Sequence, residues 1–368
     1  MPIRVAFISL FSYGYFNYEV DITGGGTERQ LYIISQELNS DFDVNFVVGD
    51  YGQSAVETRD GVTLHRAYEP DPRAGPVVQL SQIVKLFRAM RSTNADVFVL
   101  RSRPRKAVVT YLIAQALGAE WIYNVANDSH VDEDPDQLSS AERSIFVHAL
   151  RNAAGVVAQT PYQQRRLRER FGVTSTVIPN GYTRAETVNG RDERSYFLWV
   201  GRIDESQKQP DRFLDLAARL PDFEFVLVGP ARDDAYFEQI EQRIAKLGNV
   251  TYEGPVDPDE IHDYYSDAIA VVNTSAHEGF PNTFLEAWRM RTPVVSLNVD
   301  PGRFVENSLC ECYADGDFES LVNLSERLAN NRDIWEDCAT VPHRYFEENL
   351  TIEQIATSYA ELLRSATR

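Results

Sequence analysis

Lysine is nearly missing. Of 36 basic residues 4 are lysine and 32 arginine, against 55 acidic residues, for a formal net charge of -19. A surface field this negative opposes nonspecific nucleic-acid binding, and no nucleic-acid partner is expected. Acidic excess with few lysines also suits a protein that stays soluble at high salt. A halophilic source is one reading of it, and a GC-rich coding bias toward arginine is the other. Cysteine is scarce: Cys310, Cys312 and Cys338 form an odd set without C-x-x-C spacing, so neither a zinc cage nor a disulfide framework is indicated. The six histidines show no H-x-x-x-H or H-E-x-x-H pairing, which argues against zinc. No long hydrophobic run is present. The best window, 107–126, is broken by Thr110, Gln115, Glu120 and Asn124 and reads as a core helix followed by a strand. Met1-Pro2-Ile3-Arg4 runs straight into an apolar strand pattern without a charged leader, so the expected location is the cytoplasm. G-x-x-x-x-G-K-[ST] and G-x-S-x-G are both missing.

What is there is a β/α rhythm over 368 residues, 43% of them hydrophobic, enough for two domains. Arg4–Leu10 is a continuous apolar run, suited to a strand buried on both faces. Strands are expected again near 44–48, 97–100, 121–125, 155–158 and 172–179, with helical or loop-like sequence between them. Residues 184–195 are polar and aperiodic and read as a linker. The rhythm then restarts, with strands at 197–200, 225–228, 250–252, 269–272 and 294–297. Residues 351–368 form an amphipathic helix, with Ile352, Ile355, Tyr359 and Leu362 on one side. Two alternating blocks imply two Rossmann-like domains, whose ligands sit at the carboxyl ends of the strands.

The residues after each strand are therefore the candidates for chemistry. His277-Glu278-Gly279-Phe280-Pro281-Asn282-Thr283-Phe284-Leu285-Glu286 follows one strand and opens a helix near Thr283. That helix end is an anion site, and Glu286, one turn in, can accept from sugar or ribose hydroxyls. Thr283-x-x-Glu286 is also a capping box, the plainer account on local evidence. Gly201-Arg202 with Lys208 places two cations at another strand end, suited to a diphosphate or to a solvated surface pair. Gly24-Gly25-Gly26-Thr27-Glu28 opens the first helix, either as a phosphate approach or as a flexible turn. Asn127-Asp128-Ser129-His130 offers two polar groups after a strand, or an ordinary cap. Asp132-Glu133-Asp134 and Asp257-Pro258-Asp259 read as solvated loops rather than metal-binding triplets. Arg101, Arg103, Arg105 and Lys106 form the one dense basic cluster. It can meet an anionic lipid or a phosphate acceptor, although a structural or solubility role is the plainer reading.

Taken in order, these segments resemble a family 4 glycosyltransferase of the GT-B fold over essentially the whole chain. Gly25-Gly26 and Glu28 resemble its N-terminal glycine loop, Ile178-Pro179-Asn180-Gly181 its lead into the second domain, Arg202 with Lys208 its diphosphate pair, and Glu278 through Glu286 its E-x7-E motif. The resemblance implies an α/β protein with two Rossmann-like domains facing a central cleft. Residues 1–183 would bind the acceptor, 184–345 the nucleotide sugar, and 346–368 would carry a helix returning to the first domain. It implies a retaining, metal-independent transfer from a nucleoside-diphosphate sugar, used as co-substrate with no further cofactor, to a glycan or lipid-linked acceptor. Arg202 and Lys208, helped by Asn282 and Thr283, would neutralise the diphosphate. Glu286 would hold the ribose, Glu278 with Gly279 the donor sugar, and Gly25 and Gly26 would cover the diphosphate. Peripheral contact with the inner membrane face, through a basic patch of the first domain, fits the same reading. Two segments depart from the family. Where members carry a His-Asp pair this chain has Asn127-Asp128, so either Asp128 or His130 stands in as the catalytic contact, or the sugar is handled differently. Asn298-Val299-Asp300-Pro301-Gly302 replaces the usual glycine-rich stretch. The rival readings are a nucleotide-sugar epimerase on the same fold and a non-catalytic nucleotide-sugar-binding protein.

Overall fold

The computed structural model describes residues 2–17, 19–20, 25–71, 75–132, 138–231, 233–257, 260–301 and 312–367. Gly24, Glu133, Asp134, Pro258, Asp259, Gly302 and Cys310 lie outside the described residues. The chain divides into an N-terminal unit, 1–181 with 352–368, and a C-terminal unit, 182–351.

The N-terminal unit is built on β1 (Arg4–Ile8), β2 (Asp43–Val48), β3 (Val56–Arg59), β4 (Val62–Arg66), β5 (Val97–Arg101), β6 (Glu120–Asn124), β7 (Gly155–Ala158) and β8 (Thr176–Val177). Their order is β3-β4-β2-β1-β5-β6-β7-β8, all parallel except the antiparallel edge strand β3. Between them run α1 (Tyr13–Phe16), α2 (Gly26–Leu38), α3 (Pro76–Thr93), α4 (Pro104–Leu117), α5 (Ser129–Asp132), α6 (Ser140–Arg151) and α7 (Pro161–Phe171). The central strands are buried on both faces, as their unbroken apolar runs require. One core holds Phe98, Leu100, Trp121 and Phe146, the other Phe7, Phe46, Val99 and Leu31.

The C-terminal unit has β9 (Tyr196–Val200), β10 (Glu224–Val228), β11 (Val250–Gly254), β12 (Ala268–Asn273) and β13 (Val294–Ser296) in the order β11-β10-β9-β12-β13, all parallel. Its helices are α8 (Pro210–Arg219), α9 (Asp234–Ile244), α10 (Ile261–Asp267), α11 (Asn282–Arg289), α12 (Phe318–Asn330) and α13 (Arg332–Asn349). The last helix, α14 (Ile352–Ala366), belongs to the N-terminal unit, where Ile352, Ile355, Tyr359 and Leu363 enter the core beside α2. The α/β class of two Rossmann-like domains, with a final helix returning to the first, is the observed fold.

Residues 184–195 are more than a spacer. Arg194 is buried in the C-terminal unit, where its guanidinium donates to the carbonyls of Asn189, Tyr265, Ala268 and Met290 and to Thr292 Oγ1. Burial pulls its pKa down to about 10. Among the described residues no helix is long and apolar enough to cross a membrane.

Candidate active site

In the C-terminal unit the predicted residues gather on two loops at adjacent strand ends. Gly201 follows β9 and its N–H donates to the Val228 carbonyl at the end of β10. Gly229 sits opposite with φ +139°, and a Cβ there would fall 1.8 Å from the Gly201 oxygen, so only glycine permits this approach. Arg202 comes next, partly exposed, and makes no hydrogen bond or ion pair with any described residue. The loop beyond it turns on Asp204, whose Oδ1 accepts from Ser206 Oγ at 2.9 Å and from the Gln207 N–H at 2.7 Å. Burial works against the Asp204 charge, but these donors together with the Arg202 charge outweigh it and hold the carboxyl below its ordinary range.

The second loop follows β12 and is laced to the first. Ala276 N–H donates to the Gln207 carbonyl, Thr274 Oγ1 to the Lys208 carbonyl and Trp199 Nε1 to Thr274 Oγ1. The lacing sets Lys208 Nζ 2.5 Å from Glu278 Oε1, with the two side chains only 20% and 9% exposed. Two residues singled out for separate roles thus meet as one ion pair. Gly279 is buried in the turn behind them.

The helix start differs from the capping-box reading. Pro281 precedes α11, so Asn282 and Thr283 are its first two residues, and no side chain caps it. Thr283 is therefore inside the helix and cannot serve as its cap. Its partner Glu286 is 4% exposed, and its two oxygens accept from Tyr182 Oη and Tyr265 Oη, each at 2.8 Å. Asn282 and Thr283 remain partly exposed at the positive end of the helix.

In the N-terminal unit, Gly25 precedes α2 in an extended conformation and Gly26 begins it. The Gly25 N–H donates to Glu28 Oε2 at 2.9 Å. Asp128, partly exposed, accepts from Gln163 Nε2 at 2.8 Å, and its carbonyl opens α5. His130 lies within α5 and is buried, so Asp128 is the one of the two that retains more surface. The basic cluster is not a single patch. Arg103 and Arg105 are exposed, whereas Arg101 ends β5 with its side chain inside and Lys106 is partly buried under Phe11. Tyr182, Tyr265 and Gln163 were missed from sequence, because each acts on a carboxylate 21 to 104 residues away.

Residues 194–331 match the family profile described as glycosyl transferases group 1, and residues 25–181 match that of the glycosyl transferase 4-like domain. The two profiles cover the two units in the order that the site residues require. The chain is a family 4 glycosyltransferase of the GT-B fold. Solved structures agree on the fold. Sucrose-phosphate synthase from Thermosynechococcus elongatus is 19% identical, with 98% of each chain covered and a TM-score of 0.77. Anabaena Alr3699/HepE, solved with UDP and glucose, is 17% identical over 99% of this chain and 100% of that one, at 0.76. An E. coli protein described as trehalose-6-phosphate, bound with UDP-2-fluoro glucose, is 10% identical over 98% and 99%, at 0.71. The glycosyltransferase thus shares its whole length with each of these chains.

Proposed function

We propose that this glycosyltransferase moves a hexose from a UDP-sugar to a glycan or lipid-linked acceptor, with retention of anomeric configuration and without a metal ion. The donor site is the pair of laced loops in the C-terminal unit, and the observation that carries it is the Lys208–Glu278 ion pair on the loop that also carries Arg202, whose guanidinium makes no hydrogen bond or ion pair with a described residue and acts on Asp204 through its charge alone. Two of the fold relatives are described with UDP or a UDP-sugar bound, which supports uridine as the base.

In the free protein Glu278 holds Lys208 in place. A bound diphosphate competes for Lys208, and Glu278 is released to the donor-sugar hydroxyls. Arg202 takes two phosphate oxygens as a fork, and the start of α11, partly exposed at Asn282 and Thr283, is assigned to the same charge. When the bond from the anomeric carbon to the β-phosphate oxygen breaks, its electron pair leaves with the UDP. The acceptor oxygen bonds to the same face of that carbon, and its proton passes to the departing phosphate. No separate protein base is needed. Fixed cations act most strongly where charge develops, so they serve turnover more than binding. Glu286, fixed by its two tyrosines, is assigned to the ribose hydroxyls. Asp128, fixed by Gln163, is assigned to a hydroxyl of the reacting sugars.

Membrane contact is assigned to α3 rather than to the Arg101–Lys106 segment. The helix carries Lys85, Arg88 and Arg91, no acidic residue, and exposed Val77, Val78, Leu80, Ile83 and Val84. An apolar, cationic face on a protein of charge -19 suits an anionic bilayer surface. The test of the proposal is transfer from UDP-glucose or UDP-galactose over an acceptor panel, with EDTA present and the product anomer read by NMR. Retention in EDTA is the expected result. Inversion, a metal requirement, or conversion of the donor sugar without an acceptor would contradict it.

A further inference from the structure

Arg194 is buried with a full set of acceptors, and the buried Arg289 lies over the Tyr182 ring. Arg101 differs from both. It is 6% exposed at the end of β5, its Nε has no acceptor, and it makes no hydrogen bond or ion pair with any described residue. A desolvated guanidinium without a partner is costly, and a folded chain retains one where a ligand supplies the missing charge.

Its surroundings say which charge. β1 and β5 are neighbours, with Ile8 opposite Leu100, so the residues just beyond them share one edge of the sheet. There Lys106 Nζ lies 5.7 Å from the centroid of Phe11, which is itself 41% exposed. Lys106 has no ion-pair partner among the described residues, and burial lowers its pKa. The floor is polar: Asn124 pairs with Arg101 in the strand register, and its amide donates to Tyr359 Oη while its Oδ1 has no donor. Glu28 is the carboxylate whose field both cations feel, and it is engaged by the Gly25 N–H. One acid for two cations leaves a positive charge over. Glu28 already answers the N-terminus of α2, whereas α4 has no side-chain cap and no acidic residue in its first turn, so its N-terminus adds a positive end. Arginine as a fork, lysine as a point charge and helix N–H groups together match a phosphate better than a carboxylate.

We propose that the acceptor carries a phosphate, held in the N-terminal unit by Arg101 and Lys106. The proposal rests on the transferase reading and adds the acceptor's chemical class. The phosphate belongs either to a soluble sugar phosphate or to a lipid headgroup.

The test uses the full-length protein and two variants, Arg101→Gln and the less buried Lys106→Met, each checked by circular dichroism. Inorganic phosphate binding is measured by calorimetry, and so is UDP binding. Transfer is then compared among hexose phosphates, the matching neutral hexoses, hexuronates, and vesicles bearing phosphatidylinositol. The expected result is phosphate binding weakened about tenfold or more in each folded variant, with UDP affinity within about threefold of wild type. Phosphorylated acceptors should be favoured, with the loss in the variants falling on KM. Use of the soluble or the vesicle-borne acceptor identifies the source. Preference for neutral hexoses or hexuronates overturns the proposal, as does phosphate binding unchanged in a folded Lys106→Met. Equal losses of UDP and phosphate binding would also overturn it, by assigning the cations to the donor. Failure to bind any nucleotide sinks the transferase reading instead, and the phosphate measurement still stands by itself.

Discussion

Lys208→Met separates the two tasks assigned to Lys208. Methionine keeps much of the stem and removes the charge. The pair it breaks is 20% and 9% exposed, between the surface and buried extremes. Surface pairs contribute about 0–1 kcal/mol and broken buried pairs cost about 3–5, so a loss of about 1–3 kcal/mol is expected. For a domain of this size each kcal/mol lowers Tm by about 2–4 °C. The catalytic loss is larger, because a fixed positive group on a departing oxyanion is worth about 10²–10³ in kcat. The assay is initial-rate transfer at saturating donor, alongside thermal melts of the same samples. Adding Glu278→Gln removes the orphaned carboxylate, so the double variant should regain much of the lost Tm and none of the turnover. Turnover of Lys208→Met within about threefold of wild type would refute the role. So would a double variant that recovers rate along with stability, since the single variant's defect would then be one of folding.

Three further outcomes follow from the same structure. Tyr265→Phe removes a hydroxyl that donates to Glu286 in a 4% exposed site, and should cost about 1–3 kcal/mol in urea denaturation. His65 is buried between Ser92 Oγ and Asn45 Oδ1, and burial lowers its pKa from 6.5. The unfolded chain therefore binds the proton first, and stability should fall as pH drops through 6.5 toward the folded-state pKa; His65→Gln should show a flatter pH profile over that range. Leu80, 65% exposed on α3, should anchor the protein to vesicles of anionic phospholipid, and Leu80→Asp should weaken co-sedimentation while leaving UDP binding intact.

The strands were legible because those buried on both faces are written as unbroken apolar runs, from Val5–Ile8 to Ala268–Val272. The β3–β4 hairpin is harder to see in the sequence. Its exposed edge strand has no such run, although Asp60-Gly61, with φ of 50° and 78°, is a strong two-residue turn signal. Residues 184–195 looked like a linker because a buried arginine satisfied by carbonyls leaves no periodic trace. The site residues were legible one by one, from their places after strand ends, but not their pairing. Lys208 meets Glu278 across 70 residues and Tyr182 meets Glu286 across 104, distances at which no local pattern speaks. Glu286 shows the opposite hazard. Its spacing from Thr283 suggests a cap, and the helix begins two residues too early for that to form.

The central claim is that the C-terminal unit holds a nucleotide-sugar donor through Arg202 and Lys208. Calorimetry with UDP, GDP, ADP and their glucose conjugates, in low and high KCl and with Arg202→Ala alongside, tests it most directly. The account predicts selective binding of UDP and UDP-glucose, retained at high KCl and weakened about tenfold or more in the variant. A folded protein that binds no nucleotide in either buffer, or an Arg202→Ala variant that binds as wild type does, would contradict it.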